Sequence, residues 1–270
     1  MRIDLHLHTT ASDGSLDPAE LVRAAERAGL HVIAVADHDT TAGVPAAIDA
    51  AGDAVRVIPA LEVSTSDMGS EIHILGYFVD PMHAALLEYA RSAALRREER
   101  VRAMLRRLSA LGMELTMDDV LAEATRGTLM LGRPHIARAL VRRGYVSSVT
   151  EAFDRYLGEG RPAFEAMDLL TPAHAIELIH LAGGLAVWAH PPLDGVEAEA
   201  RRLAAFGLDG IECFRPRVSL EDARRLRALA ASLGLFASGG SDWHGDGNGP
   251  LGAFYVSRDQ IPELMDRAGL

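Results

Sequence analysis

Residues 2–13 read Arg-Ile-Asp-Leu-His-Leu-His-Thr-Thr-Ala-Ser-Asp, and the reading of that stretch decides the fold. Neighbours two apart on a strand point the same way, so His6 and His8 aim two imidazoles at one point while Leu5 and Leu7 face the opposite, buried side. A strand that opens the chain and ends in a two-nitrogen clamp places chemistry at a sheet rim. On its own a His-x-His is also compatible with two hydrogen-bonded histidines at a sheet edge. The rest of the chain supplies the context.

Working outward, Asp17-Pro18-Ala19-Glu20 carries the marks of a helix start, with an N-cap aspartate, proline at the first helical position and glutamate three after the cap. His31 to Ala36 is an apolar, branched run that ends in Asp37-His38-Asp39-Thr40. Val55 to Leu61 reads as a third strand ending at Glu62, and Glu71 to Phe78 as a fourth carrying His73. Strands alternating with helices at this spacing imply a parallel sheet with helices outside, and such sheets put ligands at the C-terminal ends of the strands.

From about Met82 that rhythm stops. His83 to Leu111 is one long helical pattern, followed by helical stretches near 117–125, 133–143 and 149–157, with no convincing strand between them. It resumes with a helix at 172–182. Strands at Leu185 to Ala189, Leu208 to Phe214 and Leu235 to Ser238 follow, then a last strand at Ala253 to Val256 and a closing helix at 260–268. The expected fold is α/β, a distorted (β/α)7 barrel made of residues 1–83 and 166–270, with an all-helical insertion domain at 84–165 as a substrate cap.

Composition narrows the function. All 27 basic residues are arginine, so Schiff-base lysines, phosphate-loop lysines and lysine-bridged metal pairs are excluded. The single cysteine, Cys213, permits no internal disulfide, and no stretch reads as a signal peptide or membrane span, which leads to the expectation of a cytoplasmic protein. The net charge of -11 is uneven: residues 84–165 hold 14 arginines against 11 acids, the remainder 13 against 27. An acidic body suits cations and a mildly basic insert suits an anion, while stable binding to duplex DNA is not expected.

The polar residues at strand ends are His6, His8, Asp13, His38, Glu62, His73, His190, Asp242 and His244. Nine nitrogen and oxygen ligands on one rim exceed what one metal ion can use and match a cluster of two or three. His6-x-His8, Asp13, Asp37-His38-Asp39-Thr40, Glu62, His73, Ala189-His190-Pro191 and Gly240-Ser241-Asp242-Trp243-His244 resemble, in order, the motifs of the polymerase and histidinol phosphatase (PHP) family. That resemblance implies a metal-dependent phosphoesterase with two or three divalent ions, manganese foremost, iron or zinc as alternatives. Carried over by position, one ion takes His6, His8, Glu62 and Asp242, and a second shares Glu62 and adds His73 and His190. The third takes Asp13, His38 and His244. Asp13, His38, His190 and His244 are the catalytic candidates, around a metal-bridged hydroxide.

Within the insert, Gly132-Arg133-Pro134-His135-Ile136-Ala137-Arg138 resembles the Arg-x-His-x-Ala motif of PHP phosphatases that act on nucleotides. Arg133 can clamp a phosphate bidentately and His135 can add a hydrogen bond. Arg215, just past a strand, is a further candidate phosphate contact. The function implied is release of the 3'-phosphate from 3',5'-bisphosphonucleotides, or 5' trimming of short RNA, with a phosphorylated nucleotide or short RNA as the partner molecule. A histidinol-phosphatase-like small phosphomonoesterase and a non-catalytic metal-binding accessory domain are the alternatives, and the oligomeric state stays open.

Overall fold

The computed structural model describes residues 1–67, 70–124, 128, 130–245 and 249–270. Its seven strands form one curled sheet in chain order: β1 (Ile3–Leu7), β2 (Val32–Val35), β3 (Arg56–Asp67), β4 (Ser70–Tyr77), β5 (Leu185–Trp188), β6 (Gly210–Phe214) and β7 (Phe236–Gly239). The architecture is mixed α/β. Alternation sorts the side chains of β2: Val32 and Ala34 join the large cluster with Ile58, Leu61 and Ile211, while Ile33 and Val35 pack against Leu21 and Val44. Leu21 and Val44 come from the helices α1 (Pro18–Arg27) and α2 (Val44–Ala50), and Asp17 caps the former by accepting from the Glu20 N–H at 2.7 Å.

The expectation of a parallel sheet fails at β4. Strand β3 does not stop at Glu62 but runs on to Asp67 and pairs antiparallel with β4, which also pairs antiparallel with β5. A parallel connection needs a crossover of about a dozen residues, and none is available between Asp67 and Ser70. The reversal has a consequence for the site. His73 lies early in a reversed strand, and so reaches the same rim that the other strands reach with their C-terminal ends.

The edges of the sheet are joined beyond β7. The Trp243 N–H donates to the His6 carbonyl at 3.3 Å and the His8 N–H to the Trp243 carbonyl at 3.0 Å. Gly240 makes this approach possible, because a Cβ there would lie 2.3 Å from the His6 Cβ. The segment read as a last strand contributes only a bridge between Val256 and Ile3.

Between β4 and β5 come α3 (Ala84–Ala110), α4 (Met117–Leu121), α5 (Arg133–Arg142), α6 (Val149–Ala152), continued by a wider turn over 153–157, and α7 (Pro172–Leu181). No strand interrupts them among the described residues; position 125, the end expected for the second helix, lies outside those residues. The first turns of α3 belong to the sheet, since Leu86, Tyr89 and Ala93 pack into its core. From Val101 onward a separate apolar cluster forms, with Met104, Leu108, Ile136, Leu140 and Leu157. Among the described residues the remaining α-helices are α8 (Val196–Ala205), α9 (Leu220–Ser232) and α10 (Pro262–Arg267). No helix among the described residues is long and apolar enough to cross a membrane.

Candidate active site

Each strand end delivers its side chain for a local reason. His6 lies in β1 and His8 one step past it, with ring centres 5.1 Å apart. The turn bearing Asp13 is tied down by Asp37, whose carboxylate accepts from the Thr9 N–H (2.8 Å), the Thr9 hydroxyl (2.7 Å) and the Ser12 hydroxyl (2.6 Å). His38 follows directly. Cross-strand register sets His73 opposite Ser64, which shares its face of β3 with Glu62. Asp39, His190 and Asp242 take left-handed backbone angles (φ 56°, 30° and 54°), sparsely populated for residues with a Cβ. Such conformations persist where surrounding structure enforces them, commonly at functional sites.

Glu62 is the hub. Its Oε1 lies 2.9 Å from His73 Nδ1 and 2.9 Å from His190 Nε2, and its Oε2 lies 3.0 Å from His38 Nδ1 and 3.4 Å from both His6 Nε2 and His8 Nε2. Asp242 adds an oxygen 3.2 Å from His8 and 3.5 Å from His6. On the far side Asp13 stands 3.4 Å from His244 Nε2 and 3.8 Å from both His8 and His38. All nine sequence-derived ligand candidates therefore meet at one place. Three groupings keep their donor atoms within 4.8 Å of one another: His6, His8, Glu62 and Asp242; His8, Asp13, His38 and His244; and His38, Glu62 and His73.

The donor set fits divalent cations. Among the described residues, His6 Nε2, both ring nitrogens of His8, His38 Nδ1 and Glu62 Oε2 are buried without an aligned hydrogen-bond partner. Polar atoms buried in that state are costly unless something else compensates them, and five imidazoles exceed what one carboxylate can accept. Burial, then the neighbouring His244, pushes His8 down to about 3, which keeps it in the neutral form that ligates. Burial opposes charge on Glu62 and Asp13 as well, but the surrounding imidazoles hold both carboxyls well below their usual range. The pocket thus collects ionised carboxylates and imidazole nitrogens, the donors that manganese, iron and zinc accept.

Behind this layer stand residues that the sequence reading missed. Glu212 on β6 is fully buried; its Oε1 accepts from His6 Nδ1 at 2.9 Å and its Oε2 from the His190 N–H at 2.7 Å. The first bond fixes the His6 tautomer so that Nε2 faces Glu62. Asp4 accepts from the Ser241 N–H at 2.8 Å, and burial pushes its carboxyl up to about 7. A glutamate inside the run Ile211-Glu212-Cys213-Phe214 was the available signal, since a charge in a buried strand needs a partner.

The substrate candidates divide. Arg133 lines a cleft of about 160 Å³ that opens onto Asp13, His38, His73 and His244, with Arg97 and Arg100 in the same wall. His135 lies elsewhere: its Nδ1 accepts the Gly132 N–H at 3.1 Å at the start of α5, and it borders a neighbouring depression with Ser12 and Arg138. The Arg215 guanidinium donates to the Pro191 carbonyl, next to His190. A second cleft, of about 310 Å³, is lined by His73 and His190 together with Ile72, Trp188 and Arg202. The histidines read as structural, His31, His83, His174 and His180, each make a hydrogen bond outside the cluster.

Known proteins resemble this chain in sequence and in fold. A family model described as the PHP domain matches residues 4–187. The 5'-3' exoribonuclease Rnm of Salmonella typhimurium is 36% identical over 249 residues, covering 89% of this chain and 84% of that protein. The 3',5'-nucleoside bisphosphate phosphatase of Chromobacterium violaceum is 38% identical over 256 residues, covering 92% and 88%. Among solved structures, a protein from Bifidobacterium adolescentis assigned as a metal-dependent phosphoesterase superimposes with a TM-score of 0.89 at 32% identity, covering 98% of this chain and 96% of that one.

Proposed function

Because this chain belongs to the PHP family of phosphate-ester hydrolases, we propose that it acts on small nucleotides carrying a terminal phosphate, releasing the 3'-phosphate of 3',5'-bisphosphonucleotides or trimming the 5' end of short RNA. The observation that carries this reading is the arginine-walled cleft opening directly onto the histidine and carboxylate cluster. A substrate with two phosphates suits the arrangement, because one can be held while the other reacts. The names of the relatives support the same class.

In this reading the sheet is a (β/α)7 barrel distorted by the β3–β4 hairpin, and the helices of 84–165, beyond the first turns of α3, form its roof, supported by a separate apolar cluster. His6, His8, Glu62 and Asp242 would hold one divalent ion, Glu62 with His73 and His190 a second, and Asp13, His38 and His244 a third. Bound ions, manganese foremost, would supply an activated water and neutralise charge on the phosphoryl oxygens. The chain itself does the rest. Glu212 orients His6 and the His190 backbone, and Arg133 and Arg100 grip the phosphate that is not cleaved. His135 fixes the start of the helix that presents Arg133, and Arg215 holds the loop of His190.

The test is phosphate release with manganese from adenosine 3',5'-bisphosphate, run beside a 5'-phosphorylated short RNA analysed for mononucleotides. Release from the bisphosphonucleotide with intact RNA selects the phosphatase, and stepwise mononucleotides select the exonuclease. Failure of both with turnover of histidinol phosphate would overturn the nucleotide reading.

A further inference from the structure

Arg100 and Arg133 come from different helices and converge on one carboxylate. Arg100 Nη2 lies 3.1 Å from Glu71 Oε1 and Arg133 Nη2 lies 2.8 Å from Glu71 Oε2. Both guanidiniums are also fixed from behind. Arg100 donates to the Glu165 carbonyl at 2.8 Å and sits over the Phe164 ring, and Arg133 sits over the rings of Phe153 and Phe164 at 5.9 and 5.6 Å. The third arginine of the cleft is not available, since Arg97 is committed to Asp39. Glu71 therefore fills a ready two-guanidinium seat with two oxygens, as a phosphate would. It lies two residues from His73 on β4 and borders both clefts.

We propose that Glu71 is a specificity-determining residue, a resident anion in the Arg100–Arg133 seat that only a doubly charged terminal phosphate displaces, so that the singly charged phosphate of an internal diester is refused. This rests on the reading that these arginines grip the phosphate that does not react. Two guanidiniums and one carboxylate leave a single net positive charge. A diester that replaces Glu71 returns one negative charge for one and strands the displaced carboxylate beside it. A terminal monoester is close to doubly charged at neutral pH and brings the extra charge that makes exchange favourable. Selection would thus act on chain ends, by charge rather than by shape.

The test is calorimetric binding to the metal-loaded protein of adenosine 5'-monophosphate and of its phosphate methyl ester, which differ by one charge. The wild-type chain is expected to prefer the monoester. Glu71→Gln, and Glu71→Ala as a second variant, should tighten the methyl ester more than the monoester and shrink the preference about tenfold. Each variant is compared at a metal content matched to the wild-type chain, because a cation lost through nearby His73 would by itself weaken the doubly charged probe more than the singly charged one. In an Arg133→Ala background the same substitutions should leave the ratio unchanged. Weaker binding of both probes in Glu71→Gln, an unaltered ratio, or an effect that persists without Arg133 would each overturn the role given to Glu71. Binding is read without turnover. A changed ratio with neither phosphate release from the bisphosphonucleotide nor mononucleotides from the RNA retires the function and keeps Glu71, and the converse result retires Glu71 alone.

Discussion

Arg97, midway along α3, places Nε 2.8 Å and Nη2 2.5 Å from a single oxygen of Asp39, 58 residues earlier in the chain. The other Asp39 oxygen accepts from the Tyr89 hydroxyl at 2.5 Å and the Ser64 N–H at 2.7 Å, and the pair is buried. Burial works against the charge on Asp39, yet Arg97 holds its carboxyl below the usual range. The long helix is thereby pinned to the loop that carries His38. Arg97→Met leaves a buried carboxylate without its cation and should cost about 3–5 kcal/mol in urea unfolding. Adding Asp39→Asn should recover part of that, since asparagine tolerates the left-handed backbone at this position. A loss under about 1 kcal/mol for the single variant would show that the pair does not hold the helix.

Glu212 acts through His6 and the His190 backbone, and the expected signature is a metal-affinity defect. Glu212→Ala should weaken metal binding about 10–100-fold, as loss of such a supporting carboxylate typically does, while turnover recovers at high metal. Glu62→Ala removes the hub itself and should abolish turnover at any metal concentration, with the circular dichroism of the folded chain retained. Titrating activity against manganese separates the two. Indistinguishable titrations for both variants would contradict the different positions assigned to them.

The parts of the site that were legible in the sequence are those fixed by local rules. Alternation along β1 aimed His6 and His8 together, and polar residues directly after β2, β5 and β7 marked His38, His190, Asp242 and His244. The direction of β4 was hidden because the alternation of apolar residues is the same in either sense, and only the short gap before Ser70 betrays the hairpin. Glu212, the Asp39–Arg97 pair and the Glu71 seat were hidden for another reason. They join residues 22 to 206 positions apart, and a strand glutamate or a helix arginine carries no local mark of its partner. Within the stretch read as an all-helical insertion, Leu86 and Tyr89 belong to the same apolar cluster as Val79 of the sheet side, which helical periodicity alone does not reveal.

Arg133 is expected to separate substrates by their second phosphate. A charge-assisted hydrogen bond contributes about 1.5–3 kcal/mol, which corresponds to roughly a 10–100-fold change in binding. Arg133→Ala should raise KM for adenosine 3',5'-bisphosphate by about that factor and change KM for an aryl phosphate by less than about threefold. Equal effects on both substrates would place Arg133 outside recognition.

His135 gives a stability test whose sign follows from one hydrogen bond. Its Nδ1 accepts the Gly132 N–H, so the ring must keep a lone pair there, and burial followed by the charge of Arg138 lowers it to about 4. An unfolded histidine titrates near 6.5. Between those values the unfolded chain carries a proton that the folded chain lacks, so stability rises with pH and is lost as pH falls from about 7 toward 4. At pH 5 this contribution amounts to about 2 kcal/mol. Glutamine at the third helical position can reach back to the same N–H without titrating. His135→Gln should therefore lose about 2 kcal/mol less than the wild-type chain between pH 7 and pH 5, measured by urea unfolding at both. Other titrating groups are common to the two proteins and cancel in that difference. Equal losses would mean that the proton reaches His135 without breaking the cap, and that the start of α5 does not depend on a neutral ring.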